Sequence, residues 1–129
     1  MMANPVRVIV VDDYAPMLEM MCTVLKTIGC EVVGTAENGE LGVAVYKKTR
    51  PDIAFLDIEM PVMNGLDALR GIMKTDPEAN VVMLTNVDDT AIAENCMTVG
   101  ARDYVQKQSD PTDLVKKLMS LIKKLVATA

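Results

Sequence analysis

Short apolar runs pace the chain, each stopped by a polar residue and followed by a stretch in which apolar positions return every third or fourth residue. Val6-Arg7-Val8-Ile9-Val10-Val11 is β-branched and ends at Asp12-Asp13, the pattern of a parallel strand covered on both faces. From Ala15 to Gly29, Leu18, Met21, Cys22, Leu25 and Ile28 recur at helical spacing, with Gly29 at the expected stop. Glu31 to Ala36 predicts a second strand, and Asn38-Gly39 opens a helix through Tyr46 with Asn38 as its N-cap and Pro51 ending the linking turn.

The same unit then repeats. Ile53-Ala54-Phe55-Leu56 runs into Asp57, and Pro61 with Asn64-Gly65 breaks the chain before a helix from about Leu66 to Lys74. Val81 to Leu84 ends at Thr85, after which Asp88-Asp89 can cap a helix reaching Val99 and closed by Gly100. Tyr104-Val105 precedes Lys107 as a short fifth strand, and Ser109-Asp110-Pro111 starts the last helix.

Five strands alternating with five helices need right-handed crossovers and a parallel sheet between two helix layers, so the expected fold is a doubly wound α/β sandwich. With 129 residues, there is room for one compact domain, expected over residues 1–129. Ligands of such sheets bind outside the carboxyl ends of the strands. That rule brings Asp12, Asp13, Asp57, Thr85 and Lys107, all at strand ends, to one edge.

Composition narrows the chemistry. A net charge of −5 with scattered lysines disfavours direct nucleic-acid binding. No apolar run approaches the roughly 20 residues that span a bilayer, and Met1-Met2-Ala3-Asn4-Pro5 lacks the features of a secretory signal, so a cytoplasmic location is expected. Cys22, Cys30 and Cys96 form no CxxC pair and read as reduced, mostly buried thiols. Histidine is absent, which removes the commonest general base and metal ligand and means that any phosphohistidine must come from a partner.

Three carboxylates brought together raise one another's pKa unless a cation lies between them, and an oxygen-only donor set suits magnesium, with manganese a possible substitute. A carboxylate can also attack a phosphoryl group when cationic donors offset the charge on the transferring oxygens; Lys107 and the Thr85 hydroxyl are candidates. Each residue has a plainer reading by itself: Asp12-Asp13 capping a helix, Asp57 in a turn, Thr85 or Lys107 at a solvated strand end, Tyr104 as packing. Their joint placement carries the inference. Met17, Met20, Met21 and Met83 lie among aliphatic positions and read as core filling. The last helix has one stripe at Leu114, Leu118, Leu121 and Leu125 and a second at Val115, Met119, Ile122 and Val126, broader than a single sheet contact needs, which leaves deep packing, a partner or dimerisation open.

Val10-Val11-Asp12-Asp13, the run from Phe55 to Gly65 with Asp57 and Met60-Pro61, Leu84-Thr85, and Gly100-Ala101-Arg102-Asp103-Tyr104-Val105-Gln106-Lys107 stand in the order and spacing of a known family. The whole chain resembles the receiver domains of response regulators, the CheY-like superfamily. The resemblance implies a flavodoxin-like sheet in the order 2-1-3-4-5. It implies a magnesium-dependent switch in which Asp57 is the phosphoacceptor, Asp13 binds the metal directly, Asp12 acts mainly through water, and the backbone carbonyl of Glu59 completes the ligands. Thr85 and Lys107 would bind phosphoryl oxygens, and Thr85 and Tyr104 would act as the switch pair that alters the face of helix four, strand five and helix five. The implied partners are a histidine kinase or phosphotransfer protein and, on that face, a downstream effector or a second copy of the chain. Two positions depart from the family pattern: Gln108 stands where proline is usual and Asn86 where a small residue is usual.

Three other functions compete. A degenerate receiver would bind partners without being phosphorylated, but Asp57, Thr85 and Lys107 are all present. A haloacid-dehalogenase-type hydrolase would carry its nucleophile on the first strand, where this chain has the paired acids. A flavodoxin-like cofactor protein is disfavoured by the absence of GxGxxG and GxxxxGK[ST] and by only four aromatic residues for stacking a flavin. Turnover of an external substrate is therefore not expected.

Overall fold

A computed structural model describes residues 4–85, 90–107 and 110–127. The elements alternate as β1 (Arg7–Val11), α1 (Ala15–Thr27), β2 (Glu31–Ala36), α2 (Gly39–Thr49), β3 (Ile53–Asp57), α3 (Gly65–Thr75), β4 (Val81–Thr85), α4 (Thr90–Val99), β5 (Asp103–Gln106) and α5 (Pro111–Ala127). All strand pairs are parallel, in the order β2-β1-β3-β4-β5. The expected doubly wound, flavodoxin-like sandwich and its strand order are both present.

Alternation along the strands divides the core in two. Val8, Val10, Ile53, Phe55, Val82, Leu84 and Val105 face one helix layer with Met21, Leu25, Leu114 and Leu118, whereas Ile9, Val11, Ala54, Leu56, Val81 and Met83 face the other with Ala68, Leu69, Ile72 and Cys96. Because β1, β3 and β4 are buried on both faces, their sequences are continuous apolar runs and lack the alternation of a half-exposed strand.

Several boundaries differ from the sequence expectation for physical reasons. Helix α1 ends at Thr27, and Gly29, at φ 98, makes the reversal two residues later, where its Cys30 neighbour donates to the Leu25 carbonyl. Helix α2 runs past Tyr46 to Thr49: the apolar periodicity stops at Tyr46, but Lys47 and Lys48 sustain the helix and interact well with its carboxyl end, until Arg50 at φ 48 terminates it. Asn38 caps α2 as expected, accepting the Leu41 N–H at 2.9 Å. Asn64 does the same for α3 through the Asp67 N–H at 2.9 Å, so α3 begins at Gly65, one residue before the expected start.

Met21 and Met83 are buried on opposite faces of the sheet, and Met17 and Met20 pack half-buried on the Met21 side. The second stripe of α5 is only partly covered: Ile122 is buried, but Met119 is 53% and Val126 40% exposed. The Asp88-Asp89 cap of α4 and the Ser109 start of α5 lie outside the described residues. Asp110 does cap α5, its carboxylate accepting the Thr112 N–H at 2.9 Å.

Candidate functional site

Strand register assembles the site. Val11 pairs with Leu56, so Asp12 and Asp57 each stand one residue beyond a matched pair and emerge side by side at the carboxyl edge. Asp57 pairs with Leu84, placing Thr85 next along β4, and Thr85 pairs with Gln106, placing Lys107 next along β5. The Lys107 N–H donates to the Thr85 carbonyl at 2.7 Å and fixes the point where the lysine side chain leaves the sheet.

Asp12, Asp57 and Thr85 are all buried, and Asp13 is exposed at the rim. The Lys107 ammonium turns inward, 2.8 Å from Asp12 Oδ2 and 3.3 Å from Asp57 Oδ1. Asp12 Oδ1 accepts the Tyr14 N–H at 2.9 Å in the turn before α1, while its second oxygen faces the site; the N-cap of α1 is Tyr14, with no side-chain capping hydrogen bond, so the plainer reading of Asp12-Asp13 as the helix cap does not hold. That Oδ2 atom is buried and has no aligned hydrogen bond among the described residues; its contact with Lys107 is an ion pair.

Burial pushes the Asp57 carboxyl up from about 3.8 to about 7, the Asp12 carboxylate adds to the rise, and Lys107 opposes it. Lys107 responds in the other direction: burial disfavours its charge, but the neighbouring Asp12 and Asp57 carboxylates outweigh burial and hold it above the ordinary lysine range. One cation therefore serves two buried carboxylates, and the edge retains excess negative charge.

The expected residues converge in part. Asp12, Asp13 and Asp57 can each offer an oxygen, all within 4.8 Å of one another, and Lys107 and Thr85 complete the group. Glu59 lies in the loop after β3 with its side chain exposed. Tyr104 lies outside the cluster, half-buried on β5 against the core that includes Met83. Asn86 and Gln108 are outside the described residues.

A family model, the response regulator receiver domain, matches residues 8–119. The chain belongs to that family. Among curated relatives, this receiver domain is 38% identical over 117 residues to chemotaxis protein CheY of Thermotoga maritima, covering 91% of this chain and 98% of that one. It is 42% identical over 126 residues to a protein-glutamate methylesterase/protein-glutamine glutaminase of Bacillus licheniformis, where the match covers 94% of this chain but only 35% of the longer protein. Among solved structures it superposes with a TM-score of 0.85 and 30% identity on a chain of the CheX–CheY–BeF3–Mg complex from Borrelia burgdorferi, covering 92% of this chain and 90% of that one. The receiver is thus a signalling module of the two-component type, and none of the described helices is long and apolar enough to cross a membrane.

The donor set of this receiver fits a magnesium ion. It consists of oxygens only, includes a buried carboxylate oxygen lacking an aligned hydrogen bond, and carries more negative charge than Lys107 offsets.

Sequence reasoning missed the supports behind the site. A Cβ on Gly65 would collide with the Asp57 carbonyl oxygen and lie 2.7 Å from Ile58 Cα, so only glycine lets α3 start against the end of β3. The Gly65 N–H donates to the Ile58 carbonyl at 2.7 Å, and the Gly39 N–H donates to the Met63 carbonyl at 3.0 Å. These bonds pin the loop between Asp57 and α3 at two points. The signal available in the sequence was the pair of Asn-Gly steps at 38–39 and 64–65, which mark both caps but not the contacts across the loop.

Proposed function

We propose that residues 1–129 form one receiver unit whose Asp57 accepts a phosphoryl group from a partner's phosphohistidine in a magnesium-dependent reaction. The observation that carries this reading is the placement of Asp57: buried at the end of β3, beside two further carboxylates and 3.3 Å from the Lys107 ammonium. With no histidine of its own, the chain takes the group from outside.

An Asp57 oxygen attacks phosphorus as the P–N bond to the donor imidazole breaks, and the electron pair returns to nitrogen, which takes up a proton. Magnesium, when bound, neutralises negative charge on the carboxylates and the transferring oxygens. Asp12, Asp13, Asp57 and the backbone carbonyl of Glu59 are the residues that would hold it. Lys107 is already directed at Asp57 and supplies a charge-assisted donor to a phosphoryl oxygen; the Thr85 hydroxyl supplies the second donor from the adjoining strand.

Thr85 and Tyr104 lie on neighbouring strands, β4 and β5, so a shift of Thr85 toward the phosphoryl group frees space for the Tyr104 ring to turn inward. The α4-β5-α5 face then changes shape for a downstream effector or for a second copy of the receiver. The reaction is the chain's own phosphorylation and loss of the group, in the cytoplasm.

Incubation with acetyl phosphate, with and without magnesium, followed by intact mass and peptide mapping, tests the reading. A single magnesium-dependent addition of one phosphoryl group at Asp57, absent from Asp57→Asn, is expected. No addition together with no magnesium binding would overturn it in favour of a phosphorylation-independent interaction module.

A further inference from the structure

The loop from Ile58 to Asn64 contains a backbone conformation that its sequence resists. The Met63 N–H donates to the Pro61 carbonyl at 2.7 Å, closing a three-residue turn around Val62, whose φ is 69. Turns of this hand are rare and strained, and a positive φ on a β-branched residue is sterically costly. The only other described non-glycine residue at positive φ is Arg50, which ends a helix and is unbranched at Cβ.

Val62 gains little in return, because its side chain is 78% exposed. The strain is held by the neighbours. Met63 is pinned through its carbonyl to Gly39, and Gly65 is pinned to Ile58, so the turn is clamped on its α2 side and at its return to β3. Between the two clamped residues, Ile58 and Met63, lie Glu59 and Met60 as well as the strained turn, a segment that begins two residues after Asp57 of the acid cluster. Backbone strain of this kind persists only where surrounding structure imposes it, and it raises the free energy of the closed loop relative to any conformation in which a clamp has opened.

We propose that Val62 is a positioning residue: its strained turn loads the loop between β3 and α3 and so weakens the grip of the acid site on a divalent cation. The coupling rests on the reading above that the Glu59 carbonyl joins the carboxylates as a ligand. When only the closed loop presents that carbonyl, the apparent affinity falls by the fraction of molecules closed, and relief of strain restores it.

Val62→Gly and Val62→Asn test this in the full chain, since glycine adopts positive φ without steric cost and asparagine tolerates it, while Val62→Ala removes the branch but keeps a Cβ. Amide hydrogen exchange without metal reads the load directly. The Gly39 and Gly65 amides are expected to exchange roughly three- to tenfold more slowly in the glycine and asparagine variants, with alanine between them and the parent. Magnesium titration followed by NMR shifts of the same amides reads the coupling, and tighter binding in the same order of variants is expected, by the factor in which the closed fraction rises. Unchanged exchange would overturn the proposal, as would slower exchange with unchanged magnesium affinity, which would make Val62 a stability residue only. A parent protein that binds no magnesium would instead overturn the functional reading, and the coupling with it, while the exchange data still report whether the loop is loaded.

Discussion

Replacing Asp57 by asparagine is expected to stabilise the metal-free protein, and the gain should grow with pH. Burial and the Asp12 carboxylate hold the Asp57 carboxyl at about 7 against an ordinary value near 3.8. At about 1.4 kcal/mol for each tenfold change in proton affinity, full ionisation in the folded state costs on the order of 4 kcal/mol relative to the unfolded chain. The folded protein binds this proton more tightly than the unfolded one. The group's favourable contribution is therefore complete below about pH 4 and is lost as pH rises through about 7. Asparagine keeps the shape and has no charge to bury, and Lys107 retains its 2.8 Å ion pair with Asp12. Urea unfolding followed by far-ultraviolet circular dichroism in a chelating buffer should show a small advantage for Asp57→Asn at pH 5, widening to roughly 3–4 kcal/mol by pH 8.5. Saturating magnesium should narrow the gap, since a ligand at about 100 times its Kd stabilises the parent by about 2.7 kcal/mol. A gap that stays constant from pH 5 to pH 8.5, or a parent more stable than the variant at pH 8.5 without metal, would refute the account of Asp57 as a carboxylate held against its charge.

Three further outcomes follow from contacts described above. Lys107→Met leaves two buried carboxylates without their cation and should cost roughly 3–5 kcal/mol in chemical denaturation at pH 7, as well as slowing phosphorylation by acetyl phosphate. Gly65→Ala forces a methyl group against the Asp57 carbonyl and Ile58 and should lower stability by roughly 1–3 kcal/mol or more, with NMR shift changes concentrated at the end of β3. Tyr46→Phe removes the 2.9 Å hydrogen bond from the buried Tyr46 hydroxyl to Asp76 and should cost about 1 kcal/mol by urea unfolding, with no effect on magnesium binding.

The fold was legible because β1, β3 and β4 are buried on both faces and so must be apolar throughout, and because each ends where a polar residue first appears. Asp12, Asp57, Thr85 and Lys107 stood out for the same reason: a parallel sheet puts every strand's last residue on one edge. Contacts between segments distant in sequence were less visible. Nothing local in Tyr46 indicates that its hydroxyl reaches Asp76, thirty residues away, or that α2 outlasts its apolar pattern by three residues. The positive φ of Val62 contradicts the preference of its residue type and is imposed by clamps at Gly39 and Gly65 that only the folded chain brings together. The excess width of the α5 stripe was readable, but its division into buried Ile122 and exposed Met119 and Val126 depends on the neighbours of the helix.

The uniform direction of the strands gives this molecule two unlike poles. The acid cluster belongs to one; the turns entering β2, β3, β4 and β5 belong to the other and hold architectural ties, such as Arg7 to Asp52 and Arg50, and Asn80 to the Asp52 carbonyl. Sequence change at that far pole is free to alter how readily the domain assembles, or to accept a grafted peptide in a turn, without passing through the atoms of the acid cluster.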